Sequence, residues 1–119
     1  MRVSKDFLEK VERDSCVPYR DSEVVCLTED LPGSDNVPVQ LEVDREGGNV
    51  LLRHVILDRE DNPLYVEYFI DRNFLESISS TKTVSILFVN VEGDIRKRFS
   101  IPLSDEDIRL IRSEMRIGS

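Results

Sequence analysis

Four side chains in this 119-residue sequence sit where they could grip a charged group. Arg53 and His54 are neighbours in the apolar run "NVLLRHVILD" (Asn49–Asp58), and Glu67 and Tyr68 are neighbours in the next run, "PLYVEYFID" (Pro63–Asp71). Strand alternation groups Arg53 with Leu51, Val55 and Leu57, and His54 with Leu52 and Ile56. Whichever face turns inward, one basic group is aimed at an apolar interior. A guanidinium taken out of water must be paired, because its desolvation costs several kcal/mol. A carboxylate ligand, held through two parallel hydrogen bonds, could complete that pairing. The competing expectation is plain: cross-strand ion pairs contributing roughly 0.2–1 kcal/mol each.

The turns bound the pairing. Gly47-Gly48 reads as a two-residue hairpin turn, which sets Glu46 opposite Asn49 and Glu42 opposite Arg53. If "REDN" (Arg59–Asn62) is a four-residue loop, His54 opposes Glu67 and Arg53 opposes Tyr68. A slip of one residue brings Arg53 opposite Glu67, and both registers stay open.

Other chemistry is sparse. The single histidine and the spacing of Cys16 and Cys26 make no zinc set, so no metal and no cofactor are expected. The two cysteines read as small apolar side chains, a disulfide between them being the alternative. The five glycines form no phosphate-binding loop, and no serine is marked as a nucleophile beside His54. Acids outnumber bases 24 to 16, giving a formal charge of −8. That balance argues against nucleic acid and suits a basic protein partner. Arg96, Lys97 and Arg98 are the one basic cluster, and on a strand Arg96 and Arg98 would share a face. No apolar run approaches the roughly 20 residues of a membrane span, and "MRVSKDFLEKVERD" lacks a secretory core. A cytoplasmic protein without membrane contact is expected.

The elements that must position these residues follow from periodicity. Ser4 is expected to cap a helix running to about Arg13, with Phe7, Leu8 and Val11 on one face. "DSCVPYRDS" reads as a connector, Glu23–Thr28 as a strand and Glu29–Asn36 as a loop. Val37–Asp44 alternates as a half-buried strand, and the two apolar runs follow it as further strands. Asp71 is expected to cap a short helix with Phe74, Leu75 and Ile78 facing inward. "TVSILFVNV" (Thr83–Val91) is apolar on both faces and needs cover from the chain's own helices or from a second copy, so a homodimer is left open. A strand, Ile95–Ile101, and a helix from Ser104 with Ile108, Ile111 and Met115 inward complete the chain. The sum is one α+β domain over residues 1–119: a mainly antiparallel sheet of about six strands in a meander, with N- and C-terminal helices and a short helix between strands.

"LLRHVILDREDNPLYVEYFIDRNFLESI" (Leu51–Ile78) resembles the central hairpin of the chorismate lyase-like superfamily, which includes chorismate lyases and UTRA ligand-binding domains. An arginine following apolar residues, the turn Asp61-Asn62-Pro63-Leu64, Glu67 in the second strand, and Leu75 and Ile78 beyond it carry the likeness. The resemblance implies an antiparallel sheet enclosing a pocket for a small anionic molecule, with Arg53 gripping its carboxylate. Two functions are therefore expected as alternatives. One is a domain binding a small anionic ligand through Arg53, Glu67, His54 and Tyr68, of which a reduced chorismate lyase-like protein would be one form. The other is a non-enzymatic acidic interaction module (adaptor, inhibitor or immunity-type protein) that binds a basic protein partner.

Overall fold

The computed structural model describes residues 2–27, 40–58 and 60–117, with Ile117 described by its backbone alone. The expected loop Glu29–Asn36, the start of the expected second strand (Val37–Asp44) and Arg59 therefore lie outside the described residues.

Ser4 does open the first helix, α1 (Lys5–Asp14), its hydroxyl accepting a hydrogen bond from the Phe7 backbone N–H at 3.2 Å. The expected connector then yields a short strand, β1 (Cys16–Pro18), which pairs antiparallel with β2 (Glu23–Leu27). Three antiparallel strands follow: β3 (Gln40–Glu46), β4 (Asn49–Leu57) and β5 (Pro63–Ile70). Asp71 caps α2 (Arg72–Thr81), accepting from the Phe74 N–H at 2.8 Å. β6 (Thr83–Val89) and β7 (Ile95–Pro102) form a hairpin, and α3 (Asp105–Ile117) closes the described chain. Ser104 and Asp107 cap α3 reciprocally: the Asp107 N–H donates to the serine hydroxyl at 3.0 Å, and the Ser104 N–H to the aspartate carboxylate at 3.2 Å. In the β6–β7 connection, Gly93 has φ +86°, and a Cβ there would press on Val3 at 3.3 Å. The turn needs a glycine on both counts.

The single six-strand meander is corrected here. The described residues form seven strands in two sheets, ordered β1-β2-β6-β7 and β3-β4-β5, and β2 runs parallel to β6. The physical reason lies in β6, whose two faces both need cover. Val84, Ile86 and Phe88 join the main core with α2, α3 and the inner face of the three-stranded sheet. Leu87 and Val89 pack instead with Val11 and Phe7 of α1. The chain's own helices thus supply both covers. A bulge opposite Phe88 and Val89 leaves Arg96 without a paired residue, while Arg96 and Arg98 are both exposed, alternating with the partly buried Lys97 and Phe99. Arg98 pairs with Glu23 at 2.8 Å, and Lys97 lies over the Phe99 ring.

Cys16 and Cys26 face each other across β1 and β2 and form a disulfide. The expectation of two unpaired apolar thiols is replaced. Disulfides persist in oxidising surroundings, so this bond and the cytoplasmic expectation pull in opposite directions. Among the described residues no helix is long and apolar enough to cross a membrane.

Candidate functional site

The three-stranded sheet has two unlike faces. Its inner face carries Val50, Leu52, Ile56, Val66, Tyr68 and Ile70 into the main core. His54 belongs to this face and is almost wholly buried. Its Nε2 lies 2.8 Å from the Tyr68 hydroxyl, and the two rings stack at 5.7 Å. Burial drives the imidazole pKa from 6.5 down to about 4, against a smaller upward pull from Asp107. The same burial pushes the Tyr68 hydroxyl upward. At neutral pH the pair is therefore uncharged and mutually satisfied. Tyr68 belongs to the main core and also lines the groove between β1 and β5.

Arg53 lies on the opposite, outer face. The Gly47-Gly48 turn gives the expected pairing of Glu42 with Arg53, but the second loop is one residue longer than "REDN" alone. The Asp58 N–H donates to the Asn62 carbonyl at 2.9 Å, and the Asp58 carboxylate accepts from the backbone N–H groups of Glu60 and Asn62. The slipped register results, and Arg53 opposes Glu67 rather than Tyr68. Its guanidinium is held on both sides, Nη1 donating to Glu42 at 2.8 Å and Nε to Glu67 at 3.0 Å. Both contacts raise its pKa. The side chain is one-third exposed (33%), not enclosed in the interior as the anion-anchor expectation requires. Of the four expected site residues, the structure brings Glu67 to Arg53 and His54 to Tyr68, on opposite faces of one sheet.

Cross-strand rows build the rest of the outer face. Gln40, Val55 and Tyr65 form one row, Glu42, Arg53 and Glu67 the second, and Asp44, Leu51 and Phe69 the third. On these rows Tyr65 and Phe69 stay 56% and 46% exposed. Leu51 is buried, yet it belongs to neither core cluster. A groove of about 370 Å³ runs between β1 and β5, floored by Leu51, Phe69, Val17 and Pro18 and edged by Asp14, Glu46 and Glu67. A second hollow, of about 280 Å³, lies beside it over Glu42, Asp44, Leu51 and Arg53. Asp14 has Arg13 beside it at 3.7 Å. The face is thus apolar at its centre and acidic at its edge, and its one strand-borne cation, Arg53, is already paired.

Reading the residues alone missed Tyr65 and Phe69 as surface groups. The available signal was that β5 is apolar at both parities, as β6 is. In β6 the second apolar face is covered by α1, whereas in β5 it is left open.

Among the described residues no group of three or more His, Cys, Asp or Glu side chains could hold a metal ion. No protein-family model, curated protein or solved structure matches the chain.

Proposed function

We propose that the outer face of the β3-β4-β5 sheet is a docking surface for a cationic protein partner, and that the chain is a non-enzymatic interaction module. One observation carries this reading: two half-exposed aromatic rings, Tyr65 and Phe69, stand on the outer sheet face, where the acids outnumber the one strand-borne cation, Arg53. Exposed aromatic side chains with apolar neighbours are the usual anchors of protein interfaces. The surrounding carboxylates select the partner's sign and speed its approach, an effect that salt screens. The net charge of −8 adds a long-range attraction of the same sign.

The small-anion alternative, with the chorismate lyase-like activity, would need the Arg53 guanidinium free. Between Glu42 and Glu67 it is not. An arriving carboxylate would meet two negative charges for one positive.

The test uses short peptides alternating lysine or arginine with leucine or tyrosine, beside acidic peptides of the same pattern, titrated into isotope-labelled protein. Cationic peptides should shift amides of β1, β4 and β5 and lose about tenfold in affinity when Phe69→Ser is introduced. Equal response to acidic peptides, or shifts confined to other elements, overturns the assignment.

A further inference from the structure

On the far side of the main core, α2 and α3 pack together and leave an open cleft of about 290 Å³ between them. Its lining is periodic. α2 contributes Arg72, Leu75, Glu76 and Ser79, and α3 contributes Arg112, Met115 and Arg116. The spacings, i, i+3, i+4 and i+7 on one helix and i, i+3 and i+4 on the other, place each set along a single helix face. Two stripes with arginines at their edges thus meet across one hollow.

The cleft gathers arginines that lack the ion pairs most others make. Arg2, Arg13, Arg20, Arg45, Arg53 and Arg98 all form ion pairs with acids. Arg72, Arg112 and Arg116, like Arg96 and Arg109, form none among the described residues, although acids are in excess over the whole chain, and the cleft brings three of these five together. Arg112 and Arg116 are also like charges one helical turn apart, a placement that disfavours the helix. Among the described residues Glu76 is the only acid lining the cleft, so three arginines less one glutamate leave two positive charges there. Ser79, on the same wall, has a hydroxyl buried without a hydrogen-bond partner. A buried hydroxyl is normally bonded, so this one is a donor the protein itself does not use.

We propose that the α2–α3 cleft binds a small dianion of the phosphate-monoester class. The guanidiniums of Arg72, Arg112 and Arg116 supply forked donors matched to phosphate oxygens. Leu75 and Met115 offer an apolar wall to the ester group. The two surplus charges match a dianion, and the volume is that of a small metabolite site, at the lower end of the usual range. This site is separate from the acidic sheet face and does not depend on it.

Calorimetric titration of the full chain with phenyl phosphate, inorganic phosphate and phenol tests it. Phenyl phosphate should bind, inorganic phosphate more weakly, and phenol not at all. Arg72→Gln, Arg112→Gln and Arg116→Gln should each weaken phenyl phosphate by about tenfold with unchanged thermal unfolding. Arg109→Gln, on α3 but outside the cleft, should leave affinity unaltered. No heat with phenyl phosphate, or equal losses in the Arg109 and Arg112 variants, would overturn the proposal. The second outcome would mean diffuse attraction to the helix surface.

Discussion

Arg53 and the arginines of the α2–α3 cleft are the same chemical group in the same acidic chain, and their surroundings differ completely. Arg53 sits in a cross-strand row where opposed side chains are close enough to meet, and acids flank it on both neighbours. Arg72, Arg112 and Arg116 come from two helices whose facing stripes bring cations together with one glutamate. An arginine's function is therefore set by who stands opposite, and opposition is a property of register and packing. One region is an acidic face with its cation neutralised, the other a basic hollow whose cations have no acid partner among the described residues.

The largest effect should come from the buried side of the sheet that carries the acidic face. His54 has a folded pKa of about 4 against an ordinary 6.5, so the unfolded chain takes up the proton first. Stability from this group is complete above about pH 6.5 and declines as pH falls toward 4, by about 3 kcal/mol in all. Denaturant unfolding of wild type against the His54→Leu/Tyr68→Phe double variant should show that decline in the first and its absence in the second. Removing both partners avoids leaving one buried hydroxyl unsatisfied.

Next in size is the disulfide, which fixes β1 beside the acidic groove. The Cys16→Ser/Cys26→Ser variant should lose roughly 2–3 kcal/mol of stability. It should also weaken cationic peptides while leaving phenyl phosphate untouched, as measured by titrating both into the oxidised protein and the variant.

A sharper attack on the comparison is to free Arg53. Glu42→Gln/Glu67→Gln should weaken cationic peptides by about tenfold and create weak phenyl phosphate binding at the sheet face. Amide shifts of β4 on adding phenyl phosphate, absent in wild type, would report it. The smallest change is expected from Glu76→Gln, which removes the cleft's one acid and should tighten phenyl phosphate by about two- to threefold at low salt, less at high salt. Calorimetry at two salt concentrations reads it.

Local signals in the sequence were reliable where the chemistry is local. Ser4, Asp71 and Ser104 mark helix starts because a side-chain oxygen a few atoms from free N–H groups needs no tertiary help. Gly47-Gly48 fixed one half of the register for the same reason, since both residues adopt positive φ. The other half turned on whether Asp58 belongs to strand or loop, which its side-chain bonds to Glu60 and Asn62 decide. That one residue moved Arg53 from Tyr68 to Glu67. The parallel pairing of β2 with β6 was not legible, because it joins segments separated by three strands and a helix. Neither was the open outer face of β5, because apolar spacing shows that a face could be covered and not whether anything covers it. The cleft went unread because the Ile108, Ile111 and Met115 stripe was assigned only to packing, while Arg112 and Arg116 border it.

One titration addresses both regions at once. A lysine–leucine peptide and phenyl phosphate are added in turn to a single isotope-labelled sample, and the shifted amides are mapped. Two separate sets are expected: β1, β4 and β5 for the peptide, α2 and α3 for the phosphate, each unchanged by the other ligand. If the peptide leaves β4 and β5 unmoved, or both ligands shift the same amides, the acidic sheet face is not the docking surface assigned to it.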